Sequence, residues 1–417
     1  MAIIKPFKGL RPPKEIVEEV ACLPYDVMNS EEAAKMASGK KASLLHITRA
    51  EIEFEKGTDS HAEKVYLQAK SNFQDFQDKK YLIQDSEAKY YIYAQTMNGK
   101  TQYGIVGAAS CQDYLNGVIK KHELTRPDKE EDRKVLSRIL EANIEPVFFT
   151  YRAVPEIDAI VSDIITNNEA EYDFTSEDGF GHHFWVIKDA ETNKELEKLF
   201  KDKVPNTYVA DGHHRTAAAA GMSEEFRKKN PNHTGNEPYN YFMAVHFPDN
   251  QLQIIDYNRV VKDLNGLSSE EFLSKIDENF ILNQINDTII KPEKLHDFSM
   301  YLDGKWYGLT AKSGTFDDDN PIDSLDVSVL SKYILDPVLN IKDLRTDTRI
   351  DFVGGIRGLS ELSKRVDSGE MAVAFALFPV SMNQLMQIAD TNNIMPPKVT
   401  WFEPKLRSGL VINKIDA

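Results

Sequence analysis

The chain has 417 residues, 66 of them acidic and 50 basic, and carries a net charge of −16 at neutral pH. That length exceeds one ordinary core and predicts two or three domains, while the acidic balance argues against a general nucleic-acid or anionic-membrane surface, which needs a basic footprint. Cys22 and Cys111 stand in unrelated contexts, and no apolar run approaches the roughly 18 residues that span a bilayer, so a disulfide framework, a thiolate metal site and a membrane span are not expected and the cytoplasm is the expected compartment.

In chain order, residues 15–21 read as a short helix, 24–27 as an irregular turn, and 31–37 as a helix capped by Ser30. Residues 43–47 read as a buried strand, and 60–79 carry apolar residues at helical spacing. Two alternating runs, 90–96 and 101–111, flank Asn98-Gly99, a strong hairpin signal. Helices are expected at 129–142 and 155–167, with strands at 146–151 and 183–188. A helix at 196–200 should lead into a strand that stops at Asp211, and 241–247 with 252–257 should form a hairpin across Pro248-Asp249-Asn250. The texture changes after about Val261: a helix at 267–280 starting at Ser268 or Ser269, a hairpin of 298–302 and 305–310 through Asp303-Gly304, and an acidic loop at 315–324. The reading is an α+β protein with a core over residues 1–260 and a further α+β portion over 261–417 that contributes to the cleft.

The segment Tyr208-Val209-Ala210-Asp211-Gly212-His213-His214-Arg215-Thr216-Ala217 is the most specific. An apolar run halts at an acid and a glycine, and an alanine run, Ala217 to Ala220, follows. This predicts a strand, a tight turn and a helix start, with Asp211 as N-cap and Gly212 permitting close backbone approach. Free amides of the first helical turn, with Arg215 beside them, suit a phosphate. The bland alternative is an Asp-Gly turn with an ordinary cap. Metal ligation by histidine is less favoured: His213 and His214 are adjacent and point apart, His182-His183 is a second such pair, and no i, i+4 spacing occurs.

Lys120-Lys121-His122-Glu123-Leu124-Thr125-Arg126, ahead of Pro127, Asp132 and Arg133, reads either as a solvated charged loop or as a carboxylate, Glu123, held among cations as base or metal ligand. Pro24-Tyr25-Asp26 and Asp256-Tyr257-Asn258-Arg259 place polar groups at strand ends, where sites often lie. Arg345 to Gly355, Met395-Pro396-Pro397-Lys398 and Trp401 to Lys405 read as rigid loops, divided between packing and ligand contact.

Leu23 to Val27, His122 to Thr125 with Asp132-Arg133, Asp211 to Arg215, Tyr257 to Arg259 and Met395 to Lys405 together resemble the DUF1015 family of uncharacterised bacterial and archaeal proteins over essentially the whole chain. The Asp211 to Arg215 element also resembles that of the ParB/sulfiredoxin superfamily, which includes free serine kinases. The resemblance implies a ParB/sulfiredoxin-like core and a small-molecule kinase converting free L-serine to O-phosphoserine with ATP or ADP and Mg²⁺. It implies that Asp211, Gly212, His213, His214, Arg215 and Thr216 bind phosphate, with Asp211 and His213 also catalytic, Glu123 as base, and Mg²⁺ held through the nucleotide and Asp211. Tyr25, Asp26, His122, Thr125, Arg133, Asn258, Arg259, Lys398 and Lys405 are the further substrate-binding candidates. No P-loop or protein-kinase glycine loop is present. The expected partners are a nucleotide and a small hydroxylated amino acid, with neither nucleic acid nor membrane. The alternatives are a ParB-like nucleotide-binding switch and a nucleotide or phosphoester hydrolase.

Overall fold

Asn98 and Gly99 both adopt left-handed backbone, φ 52° and 75°. That geometry makes the two-residue turn whose twist suits paired strands, and it joins Tyr91–Met97 to Lys100–Ser110. This hairpin is the middle of a nine-stranded mixed sheet in the computed structural model, which describes residues 1–415. The strand order is Ile119–Lys120, Thr207–Asp211, Val147–Tyr151, Tyr241–Pro248, Lys100–Ser110, Tyr91–Met97, Gly181–Val186 and Tyr172–Thr175, with Ile4–Lys5 paired to the end of Lys100–Ser110. Two pairings are parallel, Thr207–Asp211 with Ile119–Lys120 and Tyr241–Pro248 with Val147–Tyr151. The protein is therefore α+β, with helices interspersed among mixed sheets.

Contacts divide the chain into two units, residues 1–252 with 404–415, and residues 253–403. The first unit holds the nine-stranded sheet and a four-stranded one in which Ile412–Lys414 lies between Gly9–Arg11 and Ala142–Asn143. That pairing draws the end of the chain into the first unit. The second unit is built on six antiparallel strands, ordered Phe280–Asn286, Lys305–Ala311, Asp297–Leu302, Val373–Leu377, Tyr257–Val261 and Ile350–Gly354. Its beginning at Gln253 places Tyr257–Val261 wholly within it. No helix among the described residues is long and apolar enough to cross a membrane.

Three local expectations are corrected. Residues 43–47 do not form a strand; Leu45–Thr48 is a helix, and Leu44, Leu45 and Ile47 pack with Val65, Ala69 and Phe73 of the helix Glu63–Asp78. A run this short has no readable period, and packing against helices decides it. Asn29, not Ser30, caps the helix Ser30–Ala37, accepting the Glu31 and Glu32 amides while Glu32 returns to the Asn29 amide. The hairpin at 241–257 does not form, because a 3-10 turn, Asp249–Gln251, is fastened elsewhere. Asp249 accepts the Ala153 amide and Gln251 the Tyr103 amide, so Ile254–Ile255 pairs with Trp401–Phe402 instead.

In the second unit His296 stacks on Phe316 with centroids 3.6 Å apart, and its Nδ1 lies 3.1 Å from the buried Asp326. Burial disfavours the imidazolium, but Asp326 and Asp318 outweigh it and raise the histidine above its ordinary 6.5. A raised histidine stabilises fully below the unfolded value and loses that contribution as pH climbs through the folded one. The thermal midpoint should therefore fall as pH rises above 6.5, and His296→Asn should flatten that slope in calorimetric melts.

Candidate functional site

The strand Thr207–Asp211 changes register before it ends: Val209 faces Phe149 but Asp211 faces Phe148, leaving Ala210 as an inserted residue. A bulge of this kind re-aims the side chain after it. Gly212 follows at φ 93°, ψ 34°, and serves as the N-cap of the helix His213–Lys229. Asp211, expected in that role, is the last strand residue instead, because the cap position takes left-handed backbone that an L side chain strains to adopt. A Cβ at Gly212 would also lie 3.2 Å from the Arg215 guanidinium and from Val147. The Gly212 carbonyl accepts the Thr216 amide at 2.9 Å and the Thr216 hydroxyl at 3.0 Å. Amides of His213, His214 and Arg215 precede any carbonyl one turn back and face outward from the helix start.

Asp211 is held from two sides. Its Oδ1 accepts the Gly212 amide at 2.9 Å, and its Oδ2 lies 3.2 Å from the Lys405 ammonium. Burial pushes its carboxyl up, but Lys405 and Arg215 prevail and hold it at about 2. The side chain remains 31% exposed. Next to it, the buried His213 ring meets His122 edge-on at 4.5 Å, and its Nδ1 lies 3.7 Å from Glu123 Oε2. Glu123 is 43% exposed and lies beside the helix start, where Gly212 and His213 are themselves buried. Burial, reinforced by His122, pushes His213 well below 6.5; burial brings His122 to about 4 and lowers His214 as well. These imidazoles are neutral at physiological pH. The Nε2 atoms of His213 and His214 are buried and have no hydrogen-bond partner among the described residues.

A further group of charges adjoins the turn. Arg215 Nη1 donates to the Pro146 carbonyl at 2.5 Å. Burial opposes its charge, yet Asp26, Glu145 and Asp211 together raise it above the ordinary arginine value. The cation within ion-pair distance of Asp211 is Lys405. Glu145 was not singled out from the sequence, though an acid between Ile144 and the apolar strand Val147–Tyr151 was its signal. It is buried, accepts the Tyr25 amide at 2.9 Å and the Ser408 hydroxyl at 3.3 Å, and lies 3.6 Å from Arg133 Nη1. Burial raises its carboxyl, with Arg215 and Arg133 pulling the other way. The Arg133 guanidinium stacks 3.8 Å above the Tyr25 ring and grips Asp132 through Nε and Nη2.

Of the residues singled out, Asp211, Gly212, His213, His214, Arg215, Glu123, His122, Lys405, Asp26, Tyr25 and Arg133 are joined by these contacts and charges. Thr216 is fully buried with its hydroxyl turned back onto Gly212, and Thr125 donates to Glu130 at 3.1 Å. Asn258, Arg259 and Lys398 belong to the second unit and fasten its strands. Asn258 accepts the Leu377 amide and donates to Asp256; Arg259, fully buried, donates to the Tyr257 and Lys398 carbonyls, and burial lowers it to about 10.

Residues 4–328 match the model of a family described as a protein of unknown function, DUF1015. The chain belongs to the DUF1015 family. No curated protein matches this DUF1015 chain. Solved structures similar to it include a free serine kinase in complex with AMP, 10% identical, covering 74% of this chain and 91% of its own at a TM-score of 0.36. Two others are SbnI with a C-terminal truncation from Staphylococcus aureus (11%, 74% and 87%, 0.37) and a conserved hypothetical protein from Pyrococcus furiosus (12%, 74% and 95%, 0.34).

The left-handed turn is directly testable in this DUF1015 chain. Gly212→Ala should lower stability by about 1–2 kcal/mol in urea unfolding, the cost of forcing an L residue into that region, and the clash with Arg215 and Val147 adds to it.

Proposed function

We propose that the protein is a small-molecule kinase that transfers a phosphoryl group from ATP or ADP to the hydroxyl of a small amino acid, free L-serine. One observation carries this reading: a helix start with outward amides, flanked by Lys405 and two neutral histidines whose Nε2 atoms lack partners, stands beside the exposed carboxylate of Glu123. Helix amides and an ammonium suit phosphate oxygens, and neutral imidazoles add donors without repelling a metal. The resemblance of Asp211 to Arg215 to the corresponding turn of free serine kinases supports the same assignment.

The chemistry is balanced by these groups. The acceptor oxygen bonds to the terminal phosphorus, the bond from that phosphorus to the bridging oxygen breaks, and the nucleotide leaves shortened by one phosphate. Glu123 takes the hydroxyl proton. Its place 3.7 Å from His213 Nδ1 puts a carboxylate at the edge of the cradle. Among the described residues no cluster of three or more His, Cys, Asp or Glu could hold a metal alone. The oxygen donors nearby are Asp211 and Glu123, and Asp211 would hold a Mg²⁺ ion brought in with the nucleotide. When bound, that ion neutralises phosphate charge.

Incubation of the protein with L-serine, Mg²⁺ and either nucleotide should yield O-phosphoserine by mass spectrometry. Glu123→Gln should lower kcat by about 10²- to 10⁴-fold with nucleotide affinity little changed, whereas Asp211→Asn should weaken nucleotide binding. Absence of nucleotide binding at millimolar concentration would end the proposal. Release of inorganic phosphate without an acceptor would mark a hydrolase.

A further inference from the structure

A cavity of about 110 Å³ in the first unit is bordered by Tyr25, Arg49, Glu51, Tyr66, Asp132 and Arg133. We propose that this cavity is the acceptor pocket and takes a small zwitterionic amino acid; the assignment rests on the phosphoryl-transfer reading. Drug-sized ligands occupy clefts of roughly 300–1,000 Å³, so this space holds a handful of heavy atoms and no nucleotide.

Its walls are charged in a way that packing does not require. Asp132 Oδ2 takes Arg133 Nε at 2.9 Å and Nη2 at 2.6 Å, while Oδ1 accepts the Tyr66 hydroxyl at 2.6 Å. Glu51 Oε1 takes Arg49 Nε at 2.7 Å and the Ser30 hydroxyl at 2.9 Å. Asp132, Glu51 and Arg133 are all buried. Buried pairs of this kind contribute no more than well-packed apolar side chains of similar volume. Two of them lining one small void therefore point to a guest that brings both signs of charge.

The donor inventory divides the roles. Arg49 is committed, with Nη1 on the Tyr25 and Met28 carbonyls and Nη2 on Ser30. Arg133 uses Nε and Nη2 on Asp132, but its Nη1 is buried without a hydrogen-bond partner, 3.6 Å from Glu145. That Nη1 is the group for the guest's carboxylate, and the carboxylates of Asp132 and Glu51 are the groups for its ammonium. Tyr25 joins the pocket to Glu145 and Arg215. Its ring carries the Arg133 guanidinium, its amide donates to Glu145, and its phenol feels Arg133, Asp26 and Arg215.

The test is calorimetric titration of the full chain with L-serine, ethanolamine, 3-hydroxypropanoate and, separately, ADP. L-serine should bind, and the two analogues lacking one charge should not. Arg133→Lys, which keeps the charge but loses the fork, should weaken serine by about ten- to hundredfold. Ala69→Leu, which fills the cavity from a wholly buried wall position, should do the same. ADP affinity should be retained in both variants, which also shows that they fold. Wild-type serine affinity in both variants, or ADP binding with no amino acid bound, overturns the pocket. Serine binding that depends on Arg133 in a protein that binds no ADP keeps the pocket and ends the kinase reading.

Discussion

The left-handed backbone at Gly212 organises the surrounding site. The bulge at Ala210 turns Asp211 out of the strand's alternation, and the glycine then redirects the chain within one residue. Only with that turn do the first amides of His213–Lys229 stand at the end of the sheet beside Asp211. The helix is anchored by Ala217 to Ala220, all buried, whose small side chains let its axis lie close to Phe149, Val209 and Phe242. Larger residues there would lift the helix and carry the amide cradle with it.

Around this turn the charges act as one system. Asp211 is matched by Lys405 and Arg215, Arg215 by Asp26 and Glu145, Glu145 by Arg133, and Arg133 by Asp132. In a largely desolvated setting each member depends on the next, because an unmatched buried ion costs several kcal/mol. The histidines take the other route. Burial keeps His122, His213 and His214 neutral, so they add hydrogen-bonding capacity and no charge. An acidic protein thus surrounds this helix start with an ammonium, backbone amides and neutral rings.

In the second unit Asn258 and Arg259 tie neighbouring segments together. Asn258 and Arg259 are wholly buried, and their hydrogen-bond partners Asp256, Leu377, Tyr257 and Lys398 lie in their own unit. In sequence they have the same appearance as Tyr25-Asp26, polar groups at the edge of an apolar run. The difference is what surrounds them. Arg259 spends its donors on carbonyls, as a buried guanidinium without a carboxylate must, whereas Tyr25 and Asp26 face a cluster of ionisable side chains.

Residues with strong local preferences were legible from the sequence alone. Asn98-Gly99 and Asp303-Gly304 marked their hairpins because left-handed turns need those residues, and Ser268 capped its helix with Glu271 returning the bond. Asp211 to Arg215 declared a strand, turn and helix start, and with Leu23 to Val27, His122 to Thr125, Asp132-Arg133, Tyr257 to Arg259 and Met395 to Lys405 it pointed to the DUF1015 family. What the tertiary structure decided was everything set by distant neighbours. Leu45–Thr48 is a helix because helices surround it, and the strand Tyr241–Pro248 leaves its expected partner because Tyr103 and Ala153 hold the turn. The partners of Glu145 and the pairing of Lys405 with Asp211, 194 residues apart, emerge only when the chain is folded, since charge partners are chosen by space and leave no local pattern.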